Sequence, residues 1–286
     1  MTSPLWAAED MLAGAPARTR DSRWTRGRTV LGETTAPGVR LGTPPVLMYH
    51  SISPSRLPDP HALRVHPARL DRHLRLLARL RLRGVSLSEL VRAQERGESR
   101  GLVGLTFDDG YTDFLGHAVP VLERHGMTGT VYVVAGRLAG ANDWDDGPRL
   151  DLMGADQVRA VAAAGHEVGS HTLSHARLAG AGAATLATEV GRSREVLQEV
   201  LQAEVTGFCY PYGSYDDAAA HAVRVAGYDH ACVTGDYDPG DRFTLPRCYV
   251  SPGDTEAHLV ARLVRHSVRL RRRRASDTAG RRTTRP

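Results

Sequence analysis

The sequence has 286 residues, of which 41% are hydrophobic and 24% charged, a balance typical of a globular protein with one substantial domain. All 37 basic residues are arginines, so a P-loop lysine and a Schiff-base lysine are both excluded. The net charge of +5 is unevenly distributed: residues 265–286 hold nine arginines against Asp277 alone, and removing this local +8 leaves −3 for the rest of the chain. That negative balance argues against specific nucleic-acid binding by the domain.

Residues 1–43 mix Arg, Thr, Gly, Ala and Pro without sustained periodicity, and we expect them to form a flexible leader. Glu9 and Asp10 lie where a secretory signal would have its apolar stretch. No apolar run in the chain approaches the roughly 18 residues that a membrane span requires. We therefore expect neither an export signal nor a membrane span, and a cytoplasmic location is favoured.

The domain predicted over residues 44–264 alternates strands with helices. A short strand at 46–49 is followed by a helix within 66–84, where leucines recur at helical spacing and Gly84 is the expected stop. This alternation predicts a parallel α/β arrangement, and the pattern alone leaves a doubly wound sheet and a barrel open. The later strands are predicted at 102–107, 128–136, 166–171, 205–211 and 228–234, with helices at 117–126, 155–165, 182–203 and 216–227.

Several polar residues follow the C-terminal ends of the predicted strands. In either parallel architecture these ends converge on one face of the sheet, which is the face where active sites form. We therefore expect these residues to lie in one site. They are His50, Asp108, Asp109, His171 and the segment YPYG at 210–213.

The segment GLTFDDGYTD, residues 104–113, places Asp108 and Asp109 side by side at a strand end. Near a partly buried cleft, adjacent carboxylates raise one another's pKa unless a cation or a donor compensates. His171 and His175 have i,i+4 spacing, and a helical turn there would bring both imidazoles to one face, about 6 Å apart. Two imidazoles and one carboxylate suit Zn²⁺ or a similar divalent ion, while the second aspartate can accept a proton from water. A solvated Asp-Asp-Gly turn and two unrelated surface histidines are the alternatives.

Three motifs carry a resemblance to a known family: TFDDG at 106–110, HTLSH at 171–175 and FCYPYG at 208–213. Their order and rough spacing resemble the polysaccharide deacetylases, the carbohydrate esterase family with the NodB homology domain. The resemblance implies a distorted, incomplete β/α barrel and metal-dependent hydrolysis of an N-acetyl, sometimes O-acetyl, group on a sugar. It also implies a general base at Asp108, with Asp109, His171 and His175 as ligands of a divalent metal, Zn²⁺ first and Co²⁺ or Ni²⁺ as alternatives.

Two further segments, VLMYHSI and FTLPRCYV, resemble the biofilm poly-N-acetylglucosamine deacetylases. That resemblance implies that His50 protonates the departing amine and that Arg247 orients the base. The alternatives are a histidine packed beside Tyr49 and a surface arginine. The subgroup works outside the cytoplasm, so an extracytoplasmic location stays open. Position 209 is Cys, whereas many family members have an arginine upstream of the PYG turn.

The YPYG segment is expected to contact the substrate, an N-acetylated glycan or glycoside. The backbone N–H of Tyr212 would stabilise an oxyanion, and Gly213 would let the turn approach the substrate closely. The rings of Tyr210 and Tyr212 either present a face to a sugar or pack in the core. The alternative to an enzyme is a catalytically silent domain that holds a metal or a glycan, and the oligomeric state stays open.

The remaining features predict no further chemistry. Cys209, Cys232 and Cys248 are scattered, so they suggest neither a disulfide framework nor a CxxC metal site, and we interpret them as core thiols. The arginine-rich segment 265–286 is expected to be a disordered tail with, at most, weak contact to anionic surfaces.

Overall fold

A computed structural model describes residues 44–234 and 241–266 of the protein. The strands are β1 (Val46–Tyr49), β2 (Ser51–Ile52), β3 (Arg64–Val65), β4 (Arg83–Val85), β5 (Leu102–Phe107), β6 (Thr130–Val133), β7 (Glu167–Ser170), β8 (Gly207–Cys209), β9 (His230–Thr234) and β10 (Leu245–Tyr249). The α-helices are α1 (Pro67–Arg79), α2 (Leu87–Glu95), α3 (Val119–Arg124), α4 (Ala155–Ala163), α5 (Ala183–Leu186), α6 (Ser193–Leu201) and α7 (Asp217–Val225). Residues 256–266 are also helical, and π-helical turns occupy Phe114–Ala118 and Ala187–Arg192.

Seven parallel strands close into a ring in the order β1, β10, β9, β8, β7, β6 and β5. The ring closes at β1, because Leu47 is paired with Cys248 of β10 on one side and with Leu105 of β5 on the other. A doubly wound sheet is therefore excluded. A complete β/α barrel has eight strands, so the predicted incomplete barrel is confirmed. Strand β4 pairs with the start of β5, and β2 pairs with β3 in a separate two-stranded sheet.

The strands are buried because the barrel interior covers one face and helices cover the other. Every residue of β1, β5, β6 and β8 is buried, as expected for parallel strands with no solvent-facing side. Helix α1 adds Leu70, Leu74 and Leu77, which are fully buried on one stripe. Burial of each leucine contributes about 1.5–3 kcal/mol, so this stripe is sufficient to fix the helix against the barrel.

Helix α1 ends earlier than its pattern predicts. The helix stops at Arg79, Leu80 is the C-cap, and Arg81 takes a left-handed φ of 57°. Gly84, the predicted stop, lies in β4, where the side chain of Leu105 fills the space that a Cβ would need. The prediction was wrong because this glycine serves close packing between β4 and β5 and does not terminate the helix.

The predicted ends of the domain fall close to the limits of the described residues. The leader at 1–43 and residues 267–286 of the arginine-rich segment lie outside them. Arg265 and His266 are the last described residues of the helix that begins at 256, whose Leu259 and Leu263 are buried in the core. Within the described part of the chain, every helix is too short or too polar to cross a membrane.

Candidate active site

Three buried side chains meet where β5 and β7 end. The Nε2 atoms of His171 and His175 lie 3.5 Å and 3.3 Å from Oδ1 of Asp109. One ligand atom from each of the three residues lies within 4.8 Å of the others. The structure therefore brings together the three residues predicted as metal ligands.

The two histidines reach this position from an irregular loop. Residue 171 continues the strand, since its N–H donates to the carbonyl of Val133, so no helical turn begins there. Thr172 and His175 have left-handed φ angles of 66° and 65°, a conformation that costs a residue other than glycine about 1–3 kcal/mol. The two histidines thus meet without the helical turn that their spacing would allow, since the loop brings their rings to 4.9 Å.

The protonation states of this cluster suit metal binding. Nδ1 of His171 donates to the carbonyl of Cys209 at 2.8 Å, which leaves Nε2 free to ligate. Burial lowers the pKa of His171 to about 4, so this imidazole is neutral near neutrality. Burial alone would raise the pKa of Asp109, but His175, His50 and His171 together hold it well below its usual range. A neutral imidazole at His171 and an ionised carboxylate at Asp109 are forms that bind a divalent cation, so the residues fit a metal such as Zn²⁺.

Asp108 faces a different partner from its neighbour Asp109. Nη1 and Nη2 of Arg247 donate to its two carboxylate oxygens at 2.6 Å and 2.7 Å. The arginine also donates to Thr106 Oγ1 and to the carbonyl of Val233, and its side chain is fully buried. The surface-cation alternative for Arg247 is therefore excluded. Burial favours the neutral acid, but the guanidinium outweighs it and lowers the pKa of Asp108.

His50 opens onto the same site. Its Nε2 lies 3.9 Å from Oδ2 of Asp108, and its side chain is 14% exposed. The preceding residue, Tyr49, points into the core, where its hydroxyl contacts Nδ1 of His73 and its ring stacks on Phe107. Among the described residues, Nδ1 of His50 has no hydrogen-bond partner. His50 is thus not a satisfied core histidine packed beside Tyr49.

Comparison with known proteins agrees with this geometry. The family model for polysaccharide deacetylases matches residues 95–231. Residues 95–231 thus carry a polysaccharide deacetylase domain. The Bacillus subtilis (strain 168) protein YxkH, whose name assigns it to these deacetylases, is 28% identical over 217 residues, which are 73% of this chain and 72% of YxkH. A chitin deacetylase of Arthroderma benhamiae is 28% identical over 142 residues, 48% of this chain and 36% of that protein.

Solved structures support the fold of this deacetylase domain. The Streptococcus pyogenes deacetylase PplD superimposes with a TM-score of 0.65 at 24% identity, covering 79% of this chain and 99% of PplD. IcaB from Ammonifex degensii gives a TM-score of 0.63 at 23% identity, covering 77% of this chain and 96% of IcaB. The incomplete barrel is therefore an architecture that this chain shares with both proteins.

Two substrate contacts predicted for the deacetylase domain do not agree with the structure. Tyr210 is fully buried, with its ring packed between Phe208 and Tyr215, so it cannot present a face to a sugar. Gly213 is buried as well, with a φ of 65°, and a Cβ there would lie 3.1 Å from the backbone of Thr234. The close approach that requires glycine is thus to β9 and not to the substrate.

The exposed ring in the YPYG segment is Tyr212, which lies against a metal ligand. Its ring packs edge-on to His175 at 4.7 Å and is covered by the guanidinium of Arg177 at 3.8 Å. Trp144 also contacts this ligand, stacking on the ring of His175 at 4.4 Å. The hydroxyl of Tyr212 donates to Asp145 Oδ1 at 3.0 Å, which ties the turn to the loop that carries Trp144. His175 therefore contacts two aromatic rings, one stacked and one edge-on.

Sequence reasoning missed several of these neighbours. Trp144 follows β6 in the segment NDWDD, and an aromatic residue among acids in a loop was a signal that could have been used. Burial and the nearby charge of Asp109 raise the pKa of Tyr111. Asp113 accepts from Ser51 Oγ at 2.5 Å and from the N–H of Ile52 at 3.0 Å. Asp113 thus fixes the strand that follows His50.

A small cleft of about 30 Å³ lies near the cluster, which is room for ordered water but not for a sugar ring. It lies between the segment that follows β2 and the loop at 142–150, which are linked by a contact between His61 Nε2 and the carbonyl of Asp146. Tyr111 and Asp145 line this cleft and also contact the cluster through Asp109 and Tyr212. The cleft thus reaches the candidate metal ligands only through neighbouring residues, with space for water beside them.

Proposed function

We propose that the protein is a metal-dependent carbohydrate N-deacetylase, which removes the acetyl group from an N-acetylhexosamine unit of a glycan. The observation that carries this proposal is the division of roles between adjacent acids. Asp109 faces the two histidines, whereas Asp108 faces Arg247 and His50. This arrangement supports our assignment of one acid to metal binding and the other to proton transfer.

The metal would be held by Asp109, His171 and His175, and we propose Zn²⁺ because two imidazoles and one carboxylate are ligands it favours. When bound, such an ion acts as a Lewis acid that lowers the pKa of water and polarises the acetyl oxygen. Measurement of the metal content of the purified protein tests this choice against Co²⁺ and Ni²⁺.

Asp108 is the proposed general base. Its Oδ2 faces His50 and is hydrogen-bonded by Arg247, which keeps the carboxylate ionised and fixes its direction. A carboxylate oxygen can accept more than one hydrogen bond, so Oδ2 retains the capacity to take a proton from the attacking water. General-base catalysis of this kind contributes typically 10²–10⁴-fold, roughly, to the rate.

His50 is the proposed general acid. The amide C–N bond breaks as a C–O bond to the attacking water forms, and the departing amine must gain a proton to leave. Nε2 of His50 lies 3.9 Å from Oδ2 of Asp108, the proposed base, so it is within reach of the reacting amide and can donate that proton. The products are acetate and a free amino sugar.

The substrate would enter beside the aromatic rings of Trp144 and Tyr212. Aromatic rings pack against the apolar faces of sugars, and Tyr212 is 38% exposed even though the guanidinium of Arg177 covers one face of its ring. The backbone N–H of Tyr212 is the proposed oxyanion donor. Tyr212 has a left-handed φ of 58°, so its backbone does not follow regular helix geometry in this turn. The chitin deacetylase among the relatives supports a polymer of N-acetylated sugars as the first substrate to test.

The direct test is acetate release from a panel of N-acetylated glycans, measured with metal-depleted and metal-restored protein. We expect release only after metal is restored. Protein that binds a divalent ion and a glycan but releases no acetate from any member of the panel would support the silent-domain alternative instead.

A further inference from the structure

Glu189 is a buried acid that contacts the loop between the two histidine ligands. Its Oε2 accepts the N–H of Leu173 at 3.0 Å and the N–H of Ser174 at 2.9 Å, and its Oε1 accepts the hydroxyl of Ser174 at 2.6 Å. Only 8% of Glu189 is exposed. Among the described residues, no arginine forms an ion pair with it, so the loop itself supplies the donors that compensate the buried carboxylate.

The position of Glu189 depends on a π-helical turn. Residues Ala187–Arg192 interrupt the helix that the sequence predicts as continuous over 182–203. π-Helical turns are rare and occur frequently at functional sites. The next turn is anchored to the same part of the barrel, since Ser193 accepts a hydrogen bond from Ser170 at the end of β7. This helix therefore contacts both the strand that leads to the ligands and the loop that carries them.

The loop needs such a partner because it has no regular secondary structure. Its carbonyls at Thr172 and Leu173 accept from the N–H groups of Ala135 and Gly136. Its N–H groups at residues 173 and 174 donate to the carboxylate of Glu189. The left-handed residues Thr172 and His175 bracket these two peptides. Glu189 thus accepts the backbone N–H groups of the loop immediately before His175.

We infer that Glu189 is a positioning residue that holds His175 at the distance from His171 and Asp109 that a metal requires. The inference rests on the proposed function, because it assumes that these three residues bind the ion. Outer groups that orient metal ligands typically change metal affinity by roughly 10–100-fold when they are removed. Glu189 contacts no ligand side chain, so its effect should pass through the loop backbone.

The test is the dissociation constant for Zn²⁺, measured by competition with a chromophoric chelator, for wild type and Glu189→Ala. We expect the variant to bind roughly 10–100-fold more weakly. Glu195→Ala is the matched control, because Glu195 lies in the next helix with a 62% exposed side chain that contacts Arg192, and it should bind as wild type does. Equal affinity in wild type and folded Glu189→Ala would overturn the inference. Failure of wild type itself to bind a divalent ion would instead overturn the proposed function.

Two milder variants keep the test decisive if Glu189→Ala does not fold. In Glu189→Gln the amide oxygen can still accept both backbone N–H groups, so most of the Zn²⁺ affinity should return. Ser174→Ala removes one of the three hydrogen bonds and should weaken binding less than loss of the whole carboxylate. If Ser174→Ala binds Zn²⁺ as tightly as wild type, the hydrogen bonds between Glu189 and the loop have no positioning role.

Discussion

At the scale of single residues, the site depends on two adjacent acids with different neighbours. Asp109 has a left-handed φ of 73°, and this turn of the backbone separates the directions of the two side chains. Asp108 consequently contacts Arg247, while Asp109 contacts the histidines. The sequence motif predicted that the pair would divide the work, and the structure supplies the partners of each acid.

Asp108→Asn and Asp109→Asn should therefore fail in different ways. Asp108→Asn should retain the metal and lose about 10²-fold or more in rate, because it removes a proton acceptor. Asp109→Asn should lose metal affinity, because it removes a charged ligand. Metal analysis and acetate release on both variants distinguish the two roles. Identical metal content in both variants would contradict the division.

His50→Ala should retain the metal and lose most turnover of an N-acetyl substrate. The loss should be smaller for an activated ester such as a nitrophenyl acetate, whose leaving group departs without a proton. Both substrates are measured on the same protein preparation. A general folding defect would lower both rates equally and would be recognised in this way. An equal fractional loss with normal metal content would refute the role of His50 as the acid.

Arg247→Ala should destabilise the whole domain. The variant leaves Asp108 buried without its cation, and breaking a buried pair in this way typically costs about 3–5 kcal/mol. Urea denaturation of metal-free protein measures this loss, with Arg96→Ala as the control, because Arg96 forms an exposed ion pair with Glu98. A change below about 1 kcal/mol for Arg247→Ala would show that the pair contributes little to the fold.

At the scale of elements, the alternation of strands and helices was predictable because each strand is a short apolar run that ends in a polar cluster. The ends of α3 and α4 were predictable too, since Gly126 and Gly165 follow them with left-handed φ angles. The end of α1 was not, because a leucine and an arginine terminate it. The π-helical turn that carries Glu189 leaves no periodic signal, and it was recognisable only from the hydrogen bonds that its residues make.

At the scale of the whole molecule, the site exists only because the barrel closes. His50 follows β1, Asp108 follows β5, His171 follows β7, and Arg247 lies in β10. Because β1 pairs with both β5 and β10, His50 and Arg247 both come close to the carboxylate of Asp108. The motifs predicted the set of residues through a family resemblance. The closing contact was not predictable from the pattern, because periodicity is equally compatible with an open sheet.

Binding of the metal should stabilise the folded domain, since the three ligands converge only in the native state. Free Zn²⁺ at a hundredfold excess over its dissociation constant should add about 2.7 kcal/mol to the free energy of unfolding. Thermal or urea unfolding with and without the ion measures this gain. The His171→Ala, His175→Ala double variant should show none of it, and a full gain in that variant would place the ion elsewhere.

The most direct measurement of the central claim is acetate release from an N-acetylglucosamine oligomer as metal-free protein is titrated with Zn²⁺. We predict no release without the ion and a rise that ends at a single equivalent in wild type. The His171→Ala, His175→Ala double variant should stay inactive at the same concentrations. Acetate release by metal-free wild type, or an identical titration curve for the double variant, would contradict the account.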